Sequence, residues 1–219
     1  WFKLNKLSLN IKKTNCIIFK TRQKLIKDPI KIEIDGHVIQ QVNKTKFLGV
    51  IINETLTWNN HIEYIKQKIV KNIGIIYRLS KNMPQQVLLS LYHSLIHPYL
   101  EYCNIAWALE KTTVLNSLII CQKKVIRIIT HSSWRAHTEP LFQKLNILSL
   151  YNINDLQLAC FVYQCINNQM PCYFNNMFKL NADVHVHNTR HKTDLHSDIR
   201  TLSVRDVQSD LLVLNYGTH

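Results

Sequence analysis

The sequence predicts an α+β protein in which a small antiparallel sheet precedes a mostly α-helical, thumb-like bundle and a weakly structured C-terminal tail. Strand signals are confined to residues 1–58, where short β-branched runs surround the turn-forming pair Asp35-Gly36. Over residues 59–178 apolar side chains recur at intervals of three and four, the spacing of one helix face. Over residues 179–219 the chain becomes polar and this periodicity fades. These boundaries define three predicted segments.

The strand prediction depends on alternation and on turn residues. Isoleucines alternate with polar residues over 30–34, lead into the turn, and are followed by a returning arm over 38–42. The run 47–52 is β-branched and aromatic, so we expect it to pair with this hairpin in a sheet of about three or four strands. Gly49 inside that run marks a bulge or a close approach by another backbone.

The helix prediction depends on periodicity and on end signals. Pro84 suits a first helical turn, and Pro98 ends one helix and can open the next. Thr138 and Ser149 are expected N-caps. The predicted helical segments are 60–80, 84–97, 98–107, 115–129, 138–145 and 149–166.

Positive charge is concentrated in the first third of the chain. Residues 1–81 hold 16 Lys and Arg against 5 Asp and Glu, whereas residues 82–219 hold 11 against 9. Concentrated cations release counterions from a phosphate backbone, which makes nucleic acid the leading partner for this third. A solvated basic face and a helix lying on a membrane surface are the alternatives.

The remaining composition indicates an intracellular chain. Six dispersed cysteines favour a reduced compartment, no secretory signal opens the chain, and the longest uncharged run, 156–178, is too polar to cross a bilayer. We therefore expect no membrane partner. Because the chain begins at Trp1 and its first methionine is Met83, we expect an internal piece of a longer reading frame.

Residues 46–79 form the strongest candidate surface for a nucleic-acid backbone, because an apolar strand leads there into a helix with lysines outside its apolar stripe. On a later helix Lys123 and Arg127 are four residues apart and share a face. The alternative for each cation is an ordinary solvated helix surface. Trp58 and Trp107 could stack on bases, but their apolar neighbours favour the core. The candidate phosphate-binding residues are Lys66, Lys68, Lys71, Arg78, Lys123, Lys124 and Arg127.

Several blocks in a fixed order resemble the reverse transcriptases of non-LTR retrotransposons of the jockey-like, LINE-type kind. The blocks are residues 5–14, 46–50, 56–58, 61–62, 91–100, 102–105, 122–124, 137–142 and 187–190. The resemblance covers about residues 1–201. It implies that residues 1–58 are the end of the palm, with a primer-grip hairpin, and that the following helices are the thumb.

The resemblance also implies roles for individual residues. Lys13 would lie near the incoming nucleotide and could protonate the departing pyrophosphate as a general acid. Phe47, Leu48 and Gly49 would position the 3′ end of the primer, with Gly49 allowing a close backbone approach. The sequence alone is equally compatible with a surface cation at Lys13 and a core strand at 47–49.

The same resemblance limits the expected activity. These polymerases use two divalent ions held by palm aspartates, one of them in an aromatic-Ala-Asp-Asp motif. This chain contains no Asp-Asp pair, and the resemblance places that motif immediately before Trp1. We therefore expect a fragment that holds RNA template and DNA primer without polymerising. The fragment would bind no cofactor itself, whereas the full-length parent enzyme is expected to use Mg²⁺. The parent element is expected in the nucleus and the cytoplasm.

Other partners and functions remain open from the sequence. The missing fingers and palm, and an endonuclease of the same polyprotein, would be partners of the fragment. The alternatives are a non-catalytic nucleic-acid-binding or interaction protein derived from a retroelement, and a decayed copy without function. No metal site is predicted, because the cysteines and histidines of residues 160–191 lack the close pairs typical of zinc sites.

Overall fold

The computed structural model describes residues 4–6, 10–21, 23, 31–34, 36–109, 112–174, 178 and 181–184. Short strand pairs come first and helices follow, which confirms the α+β class. The described residues form two compact units, one within 1–99 and 110–136 and the other within 100–109 and 137–219. The predicted segments 1–58, 59–178 and 179–219 stay a prediction. Apart from Asn181–Val184, the predicted tail lies outside the described residues.

Among the described residues the strands pair two by two instead of forming one sheet. β1 (Asn15–Cys16) runs parallel to β4 (Gln40–Gln41), and the antiparallel pairs are β2 (Glu33–Ile34) with β3 (His37–Val38) and β5 (Lys44–Phe47) with β6 (Val50–Asn53). The prediction of one three- or four-stranded antiparallel sheet is therefore wrong. Each strand spans only two to four residues, so most pair across a tight turn with the strand next in sequence.

Two hairpins close through two-residue turns. At the first, Ile34 pairs with His37 and Gly36 has a φ of 75°, which confirms the predicted hairpin, although Asp35 lies outside the described residues. At the second, Phe47 pairs with Val50 and the turn consists of Leu48 and Gly49.

The second turn corrects the predicted strand over 47–52. Leu48 has a φ of 45° and Gly49 a φ of 90°, and a type I′ turn requires positive φ at both central residues. The chain therefore reverses at Gly49, whose missing side chain serves a turn and not a bulge inside a strand.

Eight α-helices lie within the described residues: α1 (Asn59–Leu79), α2 (Gln85–Leu95), α3 (His97–Glu101), α4 (Asn104–Trp107), α5 (Thr112–Ile129), α6 (Glu139–Leu145), α7 (Leu150–Ile166) and α8 (Asn181–Val184). They confirm the predicted helical segments, except that the one over 98–107 is interrupted at Cys103, which has a φ of 51°. Ser149 caps α7 by accepting a hydrogen bond from the Asn152 N–H at 3.3 Å. Thr138 stands at the N-cap position of α6 but makes no such bond, and its backbone is helical (φ −91°, ψ −22°) where a capping residue is typically extended.

α1 is the central element of the first unit and packs against α5, α2 and β6. Its predicted isoleucine stripe is buried, and Trp58 at its start is only 2% exposed, which confirms the core assignment. The buried Gln122 amide donates to the Tyr92 hydroxyl at 2.9 Å, which joins α5 to α2. Burial raises the pKa of Tyr92 to about 12. The stripe consists of Ile62, Ile65, Ile69, Ile73 and Ile76.

A buried histidine ties the β5–β6 hairpin to α1. The Ile51 N–H donates to His61 Nδ1 at 3.3 Å, and His61 is 2% exposed. Burial, and secondly the charge of Lys46, lowers the pKa of His61 to about 4. At neutral pH the ring is therefore uncharged, and its Nδ1 is available as the acceptor.

The second unit contains a buried amide pair between α4 and α7. Asn154 Nδ2 donates to Asn104 Oδ1 at 2.8 Å, and Asn104 Nδ2 donates to the Leu100 carbonyl at 2.7 Å. Trp107 is fully buried beside them, and its Nε1 donates to the Tyr102 carbonyl at 2.9 Å, which confirms its core assignment.

All six cysteines lie among the described residues, and none forms a disulfide. Within the described part of the chain, no helix combines the length and the apolar composition needed to cross a membrane.

Replacing Asn104 by Leu should lower the free energy of unfolding by about 2 kcal/mol or more, because the buried Asn154 amide loses its acceptor. Urea denaturation measures the change. The matched Asn104→Leu/Asn154→Leu double variant removes both polar partners and should lose less than the sum of the two single variants. Strict additivity would show that the amide pair contributes nothing as a pair.

The free energy of unfolding should fall as pH drops from about 6.5 to about 4. His61 has a folded pKa below its unfolded value of 6.5, so the unfolded chain binds the proton more tightly in this window. The contribution is complete above pH 6.5, and up to about 3 kcal/mol is lost by pH 4. Urea denaturation at several pH values measures it. His61→Asn keeps an acceptor near the Nδ1 position without titrating, and an unchanged pH slope in that variant would contradict the assignment.

Candidate nucleic-acid interface

A cluster of two lysines and a tyrosine lies where the β5–β6 hairpin meets α1. Lys46 Nζ donates to the Tyr64 hydroxyl at 3.0 Å and is 4.7 Å from the centroid of its ring. Lys68 Nζ is 5.7 Å from the same centroid. The hydrogen bond from Lys46 is the main cause that lowers the pKa of Tyr64. We call Lys46, Tyr64 and Lys68 the Tyr64 cluster.

The Tyr64 cluster was only partly visible in the sequence. Lys68 was a predicted phosphate-binding residue, whereas Lys46 and Tyr64 were not. The available signal was the spacing of Tyr64 and Lys68, which are four residues apart and so share a helix flank. Lys46 joins them only because the hairpin folds onto that flank.

The four predicted cations of α1 do not share one face. Side chains two positions apart on an α-helix project about 160° from each other, so Lys66 and Lys68 lie on opposite flanks of the buried stripe. Lys66 forms an ion pair with Glu63 at 3.3 Å. Lys71 and Arg78 are exposed on the side away from the stripe.

The cations of α5 also divide by position. Lys123 and Lys124 are exposed, whereas Arg127 is partly buried and its Nε donates to the Ala136 carbonyl at 3.0 Å. The charges of Lys66 and Lys124 both act on Cys121, the thiol pKa of which is raised mainly by burial. Lys66 therefore lies on the flank of α1 that faces Cys121 of α5, opposite the flank of Lys68 in the Tyr64 cluster.

The predicted primer-grip residues form the tip of the β5–β6 hairpin. Phe47 is 43% exposed, Leu48 is 74% exposed, and Gly49 is exposed as well. Two large apolar side chains thus project at a turn that is fixed to α1 by His61 and by the Tyr64 cluster.

Lys13 lies in the N-terminal part of the first unit, at the end of a 3₁₀ turn over Ile11–Lys13. Its side chain is exposed, and Asn10 Oδ1 accepts a hydrogen bond from its backbone N–H at 3.3 Å. The following segment runs beside the hairpin strands, where Lys20 pairs with Glu54 at 3.2 Å. The proposed role of Lys13 as a general acid stays a prediction.

The described residues do not fit a two-metal catalytic site. Among them, no three His, Cys, Asp or Glu side chains come close enough together to hold a metal ion. Glu54 and Glu63 are each paired with a lysine instead. Of the zinc-type ligands of the sequence, Cys165 is buried and Cys160 is exposed, and the histidines over 185–191 lie outside the described residues.

Comparison with known proteins found sequence relatives but no family model and no solved structure that matches. One relative is named "Probable RNA-directed DNA polymerase from transposon X-element", from Drosophila melanogaster, and is 23% identical over 155 residues. That alignment covers 69% of this chain and 17% of the relative.

Two further relatives are RNA-directed DNA polymerases from mobile element jockey. The Drosophila funebris protein is 22% identical over 119 residues, covering 53% of this chain and 13% of the relative. The Drosophila melanogaster protein is 24% identical over 123 residues, covering 54% and 13%. The chain thus spans less than a fifth of the length of these curated relatives. Together they confirm the resemblance: over half to two-thirds of its length, this chain is similar to the RNA-directed DNA polymerases of jockey and X-element non-LTR retrotransposons.

Proposed function

We propose that this chain is the part of a non-LTR retrotransposon reverse transcriptase that holds the RNA template and the DNA primer. The β5–β6 hairpin contacts the primer end, and exposed cations of α1 and α5 contact phosphates. The similarity to RNA-directed DNA polymerases supports nucleic acid as the partner. Catalysis, with its Mg²⁺ ions, belongs to the full-length enzyme, because the described residues offer no cluster of carboxylates.

The backbone conformation of Leu48 is the main support for a contact at the tip of the β5–β6 hairpin. A leucine with a φ of 45° is strained by roughly 1–2 kcal/mol relative to glycine. This leucine is also 74% exposed, so burial in the protein core offsets little of that strain. Asparagine would suit the turn better. A strained, exposed apolar residue at a fixed hairpin tip is therefore best explained by a contact with a partner.

The neighbours of Leu48 favour a nucleic-acid partner. Phe47 presents an aromatic ring at the same tip, and aromatic rings stack on bases of any identity. Lys46, the residue before it, carries an ammonium group that donates to Tyr64 and retains further donors. Apolar contacts at the tip and cations directly behind it match a nucleotide, which has an apolar base face and an anionic phosphate.

The cations contribute unequally to this proposed surface. Lys68, Lys71, Arg78, Lys123 and Lys124 are exposed, so they can meet phosphates with little rearrangement. Lys66 and Arg127 already bind protein groups, so we assign them a smaller share. The strongest salt dependence should therefore come from the exposed group.

Affinity of the full chain for an RNA–DNA heteroduplex should fall as salt rises, because binding releases counterions from the phosphates. Neutralising Lys68 and Lys71 together to Gln should reduce the slope of log Kd against log salt by about 2, one for each lost phosphate contact. The matched control is Lys144→Gln on α6, which is exposed and lies in the second unit. A salt-independent affinity, or an equal effect of the control, would contradict the proposal.

Replacing Leu48 by Asn separates stability from binding at the hairpin tip. Asn-Gly is the preferred type I′ pair, so the free energy of unfolding should stay equal or rise by up to about 1 kcal/mol. Heteroduplex affinity should nevertheless fall about tenfold, because the apolar contact is lost. Anisotropy titrations and urea denaturation measure the two quantities.

The matched control for Leu48→Asn is Val38→Thr. Val38 is 61% exposed on β3 of the other hairpin and is assigned no nucleic-acid contact. This control should bind like the native chain. If Leu48→Asn binds as tightly as the native chain, the hairpin tip is not a primer grip.

A further inference from the structure

A groove of about 570 Å³ lies in the first unit between α1, α5 and the loop that follows α5. Three of its residues are large and unusually exposed: Trp134 at 74%, Ile120 at 65% and Tyr77 at 56%. Lys124 and Arg127 line it as well, and none of the described residues that form its wall is acidic.

The loop that carries Trp134 is held by hydrogen bonds. α5 ends in a Schellman arrangement, in which the His131 N–H donates to the Ile128 carbonyl at 3.2 Å and the Ser132 N–H donates to the Arg127 carbonyl at 2.9 Å. His131 accordingly has a left-handed φ of 52°. Arg127 Nε then holds the far end of the loop through the Ala136 carbonyl. Trp134 is thus presented by an ordered loop.

The exposure of Trp134 contrasts with the other described tryptophans, since Trp58 and Trp107 are 2% and 0% exposed. The guanidinium of Arg135 lies 4.6 Å from the centroid of the Trp134 ring. Cations on and around an exposed aromatic ring are typical of single-stranded nucleic-acid sites, where bases stack and the backbone meets positive charge.

We infer that this groove binds an unpaired nucleotide, with its base against Trp134 and its phosphate on Lys124 and Arg127. The inference rests on the proposed function, because it deepens the nucleic-acid partner already assigned. The volume lies within the range of about 300–1,000 Å³ that small-molecule sites occupy, which suits one or two nucleotides. Lys124 and Arg127 give the groove wall positive charge, which favours an anionic ligand.

The groove is separate from the hairpin tip. Tyr77 follows Tyr64 by 13 positions on α1, which corresponds to about 20 Å along the helix. At about 3.4 Å per stacked nucleotide this distance equals roughly six nucleotides. A strand that leaves the duplex at the hairpin would reach the groove only if its single-stranded extension is of that length or longer.

The test compares two ligands on the full chain by fluorescence anisotropy: a blunt RNA–DNA heteroduplex and the same heteroduplex with a ten-nucleotide RNA overhang. Trp134→Ala should weaken binding of the overhang ligand about tenfold and leave blunt binding unchanged. Trp134→Phe, which keeps an aromatic ring, should stay within about twofold of the native chain. The matched control is Tyr163→Ala, which removes a 62% exposed aromatic side chain from α7.

The outcomes distinguish failure of the groove site from failure of the template–primer proposal. Unchanged overhang binding in Trp134→Ala, or an equal loss for both ligands, overturns the groove site and leaves the template–primer proposal standing. If the native chain does not bind the blunt heteroduplex but binds the overhang ligand in a manner that depends on Trp134, the template–primer proposal is overturned instead. Binding of neither ligand overturns both. A glutamate-rich ten-residue peptide that binds in a Trp134-dependent manner, while the overhang has no effect, would identify a protein partner and overturn the nucleotide assignment.

Discussion

Burial of the isoleucine stripe of α1 is the constraint on which the first unit depends. The stripe contacts α5, α2 and β6 at once, so it fixes the rotation of α1 about its own axis. That rotation decides where every cation of the helix points. Lys68 is directed to the hairpin flank, Lys66 to the α5 flank, and Lys71 to the outside.

The β5–β6 hairpin combines firmly anchored strands with an unfavourable tip. Its strands are fixed to α1 at the Lys46–Ile51 pair by a neutral buried histidine, His61, and by the hydrogen bond from Lys46 to Tyr64. Its tip holds Leu48 in a conformation that leucine disfavours. Local strain persists only where the surrounding structure determines the backbone, and the two anchors provide that determination. The same rigidity would lower the entropy that is lost when the tip binds a partner.

Distribution of charge over several flanks changes how the basic first third is understood. The sequence suggests one cationic helix face, but the structure divides these residues among the Tyr64 cluster, the outside of α1 and the α5 flank. Arg127 is in part a structural residue, because it holds the loop that presents Trp134. A net charge of +13 therefore describes how strongly polyanions are attracted, whereas the packing of α1 and α5 decides where they can be bound.

The sequence by itself determined the α+β class, the main helices, the burial of the isoleucine stripe and the similarity to retrotransposon polymerases. These follow from local periodicity, from end signals such as Ser149, and from the order of short blocks. Only the tertiary structure decided how the strands pair, because strands of two to four residues carry too little pattern to select a partner. It also decided that Trp134 is exposed, and that Lys46 meets Tyr64 across 18 positions. Those outcomes depend on contacts between segments that are distant in the chain, and no local spacing encodes them.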